Sequence, residues 1–161
     1  MSEEDTITIA AQHITKGDFM GAMEIFETHA TNNPKDPAGY HGWAESAMFE
    51  IQENGNFDDK GKDRINEGKV QSYLRKAAGL EPDNAEYQAA YANALIEFDR
   101  VPMAVREFQK LIKLGEKLED VDVSFHLYEA AKQLIDSIDV KVGYDRSEQF
   151  AQQYILSLIH I

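Results

Sequence analysis

The chain has 161 residues, carries 29 Asp and Glu against 16 Lys and Arg for a net charge of −13, and contains no cysteine. This length suits one domain with a buried core, and a content of 43% apolar residues excludes a disordered polymer. The negative charge argues against nucleic acid and membrane surfaces as partners, and the lack of cysteine excludes disulfides and thiolate chemistry.

Apolar residues recur every three or four positions over long stretches, which predicts helices rather than strands. Residues 17–34 contain, in order, a turn glycine, an aromatic residue, a small residue, a large residue four positions later and a closing proline: Gly17, Phe19, Ala22, Phe26 and Pro34. The spacing of small and large residues returns further along the chain at Trp43-Ala44, Tyr91-Ala92 and Ala104 with Phe108. Such self-similarity predicts repeated helical pairs.

The predicted helical pairs are joined at residues that favour the start of a helix. Asp36-Pro37 offers a capping carboxylate and a proline for the first turn, and Asp83-Asn84 offers caps before Ala85. Small residues let helix axes approach closely, and large residues fill the gaps between helices. The small ones are Ala10, Ala22, Ala44, Ala92 and Ala104, and the large ones are Ile9, Phe26, Trp43, Leu74, Tyr91 and Phe108.

The pattern resembles the tetratricopeptide repeat (TPR). The resemblance implies an all-α fold, a right-handed superhelical α-solenoid of antiparallel helix pairs with about seven or eight helices. The repeats would form one domain and cover residues 3–36, 37–84, 85–118 and 119–161, the last being degenerate and ending early. The alternative is an ordinary helical bundle in which the spacing arises by chance.

The second repeat is longer than the usual 34 residues, which predicts an inserted loop at residues 51–62. Gly61, Asp63 and Arg64 recur 82 positions later as Gly143, Asp145 and Arg146, so an 82-residue unit used twice is the favoured interpretation. Residues 56–67 also resemble a worn calcium loop, but Lys60 and Arg64 stand where ligands belong. We therefore expect a helix that starts at Asp63, with Asn66 in a capping role.

The resemblance further implies a concave surface formed by the first helix of each repeat. Its positions are Glu4, Ile7, Ala11, Ile14 and Thr15 in the first repeat, Ala38, His41, Glu45, Met48 and Phe49 in the second, Glu86, Ala89, Asn93, Ile96 and Glu97 in the third, and Asp120, Val123, Leu127, Ala130 and Ala131 in the fourth. Partner contact is expected from His41, Glu45, Met48, Phe49, Asn93, Ile96, Glu97 and Leu127. None of these positions is Lys or Arg, which argues against binding of acidic chaperone tails. The expected partner is a protein or peptide with a basic group and an apolar anchor. The alternative is that the apolar members pack against neighbouring helices.

Catalytic, cofactor and metal sites are not expected. His41 and Glu45, four apart on one predicted helix, could be two metal ligands or an acid–base pair, but a polar pair within the groove is favoured. We therefore expect a protein-binding adaptor or scaffold and not an enzyme. The alternatives are a module that forms a homodimer through the apolar C-terminal helix near residues 145–161, or a regulatory fragment of a larger protein. Residues 2–5 lack signal-peptide character and no apolar run could span a bilayer, so a cytoplasmic location is expected.

Overall fold

The structure, a computed structural model, describes residues 2–118. These residues form six helices and no β-strand: α1 (Glu3–Thr15), α2 (Phe19–Asn32), α3 (Pro37–Asn54), α4 (Glu67–Leu80), α5 (Ala85–Glu97) and α6 (Val101–Leu118). The predicted all-α class is confirmed for this part of the chain. None of the six helices has the length and apolar character needed to cross a membrane. Four predicted features lie outside the described residues: the fourth repeat, Leu127, the second copy of the motif at Gly143, Asp145 and Arg146, and the apolar C-terminal helix.

The chain divides into two compact units, Met1–Glu81 and Pro82–Ile161. In the first unit, α1 packs on α2, α2 on α3 and α3 on α4, so each helix contacts the next along the chain. In the second unit, α5 packs on α6. The boundary after Glu81 lies close to the junction predicted between residues 84 and 85.

Short polar side chains cap the helices as the sequence indicates. Asp36 accepts from the Ala38 backbone N–H at 3.0 Å with Pro37 in the first turn of α3, and Asn84 accepts from the Tyr87 N–H at 3.1 Å. Asp18 caps α2 and also accepts from the His13 ring at 2.7 Å. This side-chain hydrogen bond, with that from the Gly21 backbone, holds the pKa of Asp18 below its usual value.

Small residues bring α2 and α3 into close antiparallel contact. A Cβ atom placed on Gly39 would lie 2.8 Å from the backbone nitrogen of Ala30, and one placed on Gly42 would overlap the ring of Phe26. At the other end of the pair, the rings of Phe19 and Phe49 are 5.6 Å apart. All five alanines that were predicted to lie between helices are fully buried. The sequence interpretation missed the two glycines, which set the closest approach.

Helix α4 packs on α3 through an aromatic cluster. The Tyr73 ring lies edge-on to Trp43 at 5.0 Å and to Tyr40 at 5.1 Å. Its hydroxyl donates to both carboxylate oxygens of Glu27 on α2, at 2.9 and 3.1 Å, and Lys69 donates to the same carboxylate at 3.2 Å. Burial, reinforced by the Glu27 carboxylate, raises the pKa of Tyr73 to about 12. This one side chain therefore joins α2, α3 and α4.

The inserted loop that the sequence predicts at residues 51–62 lies further along the chain. Helix α3 continues to Asn54 and α4 begins only at Glu67, so the loop covers residues 55–66 rather than 51–62. The prediction that Asp63 opens a helix is wrong, because Asp63 pairs with Phe57 in an isolated antiparallel bridge. Asn66 caps the helix instead and accepts from the Lys69 N–H at 3.1 Å.

Candidate functional site

One face of α3 remains accessible over residues 37–50, while the rest of this part of the helix is covered. From Pro37 to Glu50, the residues that keep exposed surface are Ala38, His41, Glu45, Met48 and Phe49, and the others in this range are buried. Spacings of three and four residues place these five on one side of a helix. We call them the α3 stripe. They are the five positions that the repeat resemblance assigns to the concave surface in this segment.

The packing of the first unit explains why the stripe is accessible. Gly39 and Gly42 face α2, where they meet Ala30 and Phe26. Tyr40 and Trp43 face α4, where both contact Tyr73. Two sides of α3 are therefore covered by its neighbours in the chain, and the remaining side presents the stripe.

The chemistry changes along the stripe from polar to apolar. His41 Nε2 lies 2.9 Å from Glu45 Oε2, with side chains that are 12% and 47% exposed. One turn after Glu45, Met48 and Phe49 are half-buried, and Phe49 rests against Phe19 at the start of α2. The stripe thus presents a carboxylate in its centre and apolar surface towards its C-terminal end.

The His41–Glu45 pair combines two ligand types that zinc accepts. Two side chains do not complete a zinc site, which takes three or four protein ligands. His41 and Glu45 are four residues apart, and the 2.9 Å between Nε2 and Oε2 is typical of an i,i+4 polar pair on a helix.

In the second unit, the predicted residues of α5 differ in accessibility. Glu97 is exposed. Ile96 is only 3% exposed, so it belongs to the core and not to the accessible surface. Asn93 is half-buried, and its side-chain oxygen Oδ1 is buried without a hydrogen-bond partner among residues 2–118. A buried amide oxygen without a partner costs free energy, on the order of 1–3 kcal/mol. Because the oxygen atom itself is buried, it does not form part of the accessible surface of α5.

Phe57 is an accessible aromatic residue that the sequence interpretation did not select. It lies in the loop of residues 55–66 and is 72% exposed. The signal in the sequence was an aromatic side chain inside an otherwise polar insertion. Exposed aromatic residues are enriched where proteins bind other proteins.

A scan against models of known protein families finds no match for this chain. A search of curated proteins likewise finds no similar sequence. The likeness to tetratricopeptide repeats therefore rests on the residues and spacings of the chain itself.

Proposed function

We propose that the chain is a protein–protein interaction adaptor that binds a segment of another protein along the α3 stripe. The six described helices correspond to three helix pairs of the TPR type, and Glu97, which is exposed on α5, is a candidate contact residue of the second unit taken by itself. The function is binding and not catalysis. The protein acts in the cytoplasm as a scaffold.

The observation that supports this proposal is the single accessible face of α3. Two sides of α3 are covered by α2 and α4. The third side keeps the exposed carboxylate of Glu45, the largely covered His41 and the half-buried side chains of Met48 and Phe49. Mixed apolar and charged surface of this kind suits recognition of an amphipathic segment.

The partner is a segment with a basic residue and an apolar anchor. A lysine or arginine would meet Glu45, whose side chain is 47% exposed, and the apolar anchor would rest on Met48 and Phe49. The net charge of −13 favours encounter with a cationic partner.

Quantitative co-purification from the native cell tests the proposal. The wild-type protein is compared with Glu45→Lys/Glu97→Lys, which reverses charge at two accessible positions of α3 and α5. The matched control is Glu24→Lys/Glu53→Lys, which makes the same change of net charge at exposed positions outside the stripe. Partners should be depleted at least several-fold with the first variant and retained by the control. Equal recovery with all three proteins would refute a binding surface of this chemistry.

A further inference from the structure

The loop of residues 55–66 is held in one conformation by its own side chains. Asn56 is buried; its side-chain oxygen accepts from the Ile65 N–H at 2.8 Å, and its side-chain nitrogen donates to the Ile65 carbonyl at 3.0 Å. Arg64 donates to the Gly55 carbonyl at 2.8 Å and to the buried Glu50 carboxylate on α3 at 2.6 Å. At the tip, Asp58 accepts from the Lys60 and Lys62 backbone N–H groups. The segment from residue 56 to residue 64, which we call the loop hairpin, is therefore a fixed feature of the first unit.

The loop hairpin places Phe57 and Asp63 side by side. Backbone hydrogen bonds join Arg64 N–H to the Asn56 carbonyl and Asp58 N–H to the Lys62 carbonyl, each at 2.8 Å, and they flank the Phe57–Asp63 bridge. This is the non-hydrogen-bonded type of antiparallel pair, in which the two side chains come closest and point to the same face.

The pleat of the hairpin separates its charges. Neighbouring residues of a β-bridge point to opposite faces, so Lys62 and Arg64 lie on the face away from Phe57 and Asp63. The contact of Arg64 with Glu50 fixes that second face towards α3. Phe57 remains 72% exposed, and Asp63 is exposed with no hydrogen bond or ion pair of its carboxylate among residues 2–118. The outward face therefore combines an aromatic ring with an adjacent carboxylate.

We propose that Phe57 and Asp63 form a recognition site for an arginine side chain of a partner protein. The guanidinium lies on the Phe57 ring and donates to the Asp63 carboxylate. Arginine fits better than lysine, because its planar cation stacks on a ring while its edge N–H groups remain free to donate. The site is a second contact surface of the protein. It does not depend on the α3 stripe.

Solution NMR with the labelled protein and N-acetyl-arginine amide as the probe tests this proposal. We expect saturable chemical-shift changes on the Phe57 ring and at Asp63, with a larger response than N-acetyl-lysine amide produces and none with the neutral isostere N-acetyl-citrulline amide. Phe57→Leu and Asp63→Asn should each weaken the apparent affinity about two- to fivefold. Both side chains are exposed, so neither substitution should disturb the fold, and unchanged amide shifts in α3 verify this.

Two internal comparisons make the result decisive. Shift changes at two other exposed carboxylates, Glu53 on α3 and Asp59 at the tip of the hairpin, report attraction of a cation to acidic surface in general. Changes at Phe57 and Asp63 that are no larger than these, an equal response to lysine or citrulline amide, or an unaltered affinity in Phe57→Leu would overturn the proposal. Glu45→Lys should leave the titration unchanged, so a failure here is separate from a failure of the α3 stripe.

Discussion

Replacement of Gly39 by alanine tests the packing of α2 against α3. The added Cβ would lie 2.8 Å from the backbone nitrogen of Ala30 and 2.9 Å from its Cα and Cβ. The nitrogen and Cα belong to the helix backbone, and the alanine Cβ is fixed to it, so none of the three can turn aside as a flexible side chain would. The two helices must therefore move apart or bend to accept one methyl group.

The change in the free energy of unfolding that Gly39→Ala causes is the result of two opposing effects. Overpacking of this kind costs about 1–3 kcal/mol. Alanine in place of glycine in a helix returns about 0.5–1 kcal/mol through the lower entropy of the unfolded chain. For Gly39→Ala the collision with backbone should prevail, and we expect a net loss of about 1–2 kcal/mol in the free energy of unfolding.

Gly79→Ala is the matched control, because a Cβ at Gly79 on α4 has no atom within 4 Å. It should gain about 0.5–1 kcal/mol from helix propensity alone. Urea denaturation followed by circular dichroism measures both variants against the wild type. If Gly39→Ala is stabilised as much as Gly79→Ala, the close contact of α2 and α3 is refuted.

Two further predictions concern polar contacts of the first unit. Arg64→Leu removes the ion-pair partner of Glu50, which is 5% exposed, and should lower the free energy of unfolding by about 1–3 kcal/mol. The double variant Arg64→Leu/Glu50→Leu should recover part of this loss in urea denaturation. An unchanged stability of the single variant would contradict the role of the pair. Because the pKa of Tyr73 is raised from 10 to about 12 in the folded state, the unfolded state releases the phenolic proton first, and stability should fall as pH rises from about 10 to about 12. Thermal unfolding across this range should show a steeper fall for the wild type than for Tyr73→Phe, and equal slopes would contradict the assignment.

Local signals in the sequence predicted most of the described helices. Asp36-Pro37 and Asn84 mark helix starts through contacts within three residues, and the large and small residues around Trp43 follow the helical period. Such features depend on near neighbours in the chain, so they can be read without the tertiary structure.

The features that the sequence did not predict depend on distant contacts. Both Asp63 and Asn66 are good capping residues; the choice between them is set by the hydrogen bonds between Asn56 and Ile65, nine positions apart. Gly39 weakens a helix by propensity, and only its contact with Ala30 explains it. Ile96 shares the period of accessible positions, but tertiary packing buries it. The exposed side of an amphipathic pattern is thus harder to predict than the pattern itself.

Site-specific photocrosslinking tests the central claim, that the α3 stripe is where a partner binds. A photoreactive phenylalanine is placed at Glu45 or at Met48 within the stripe, and at Glu24 on the exposed side of α2 as the control. After irradiation in the native cell, positions 45 and 48 should give the same crosslinked partner, and position 24 should not. Crosslinks of equal yield at position 24, or their absence at both stripe positions, would contradict the account.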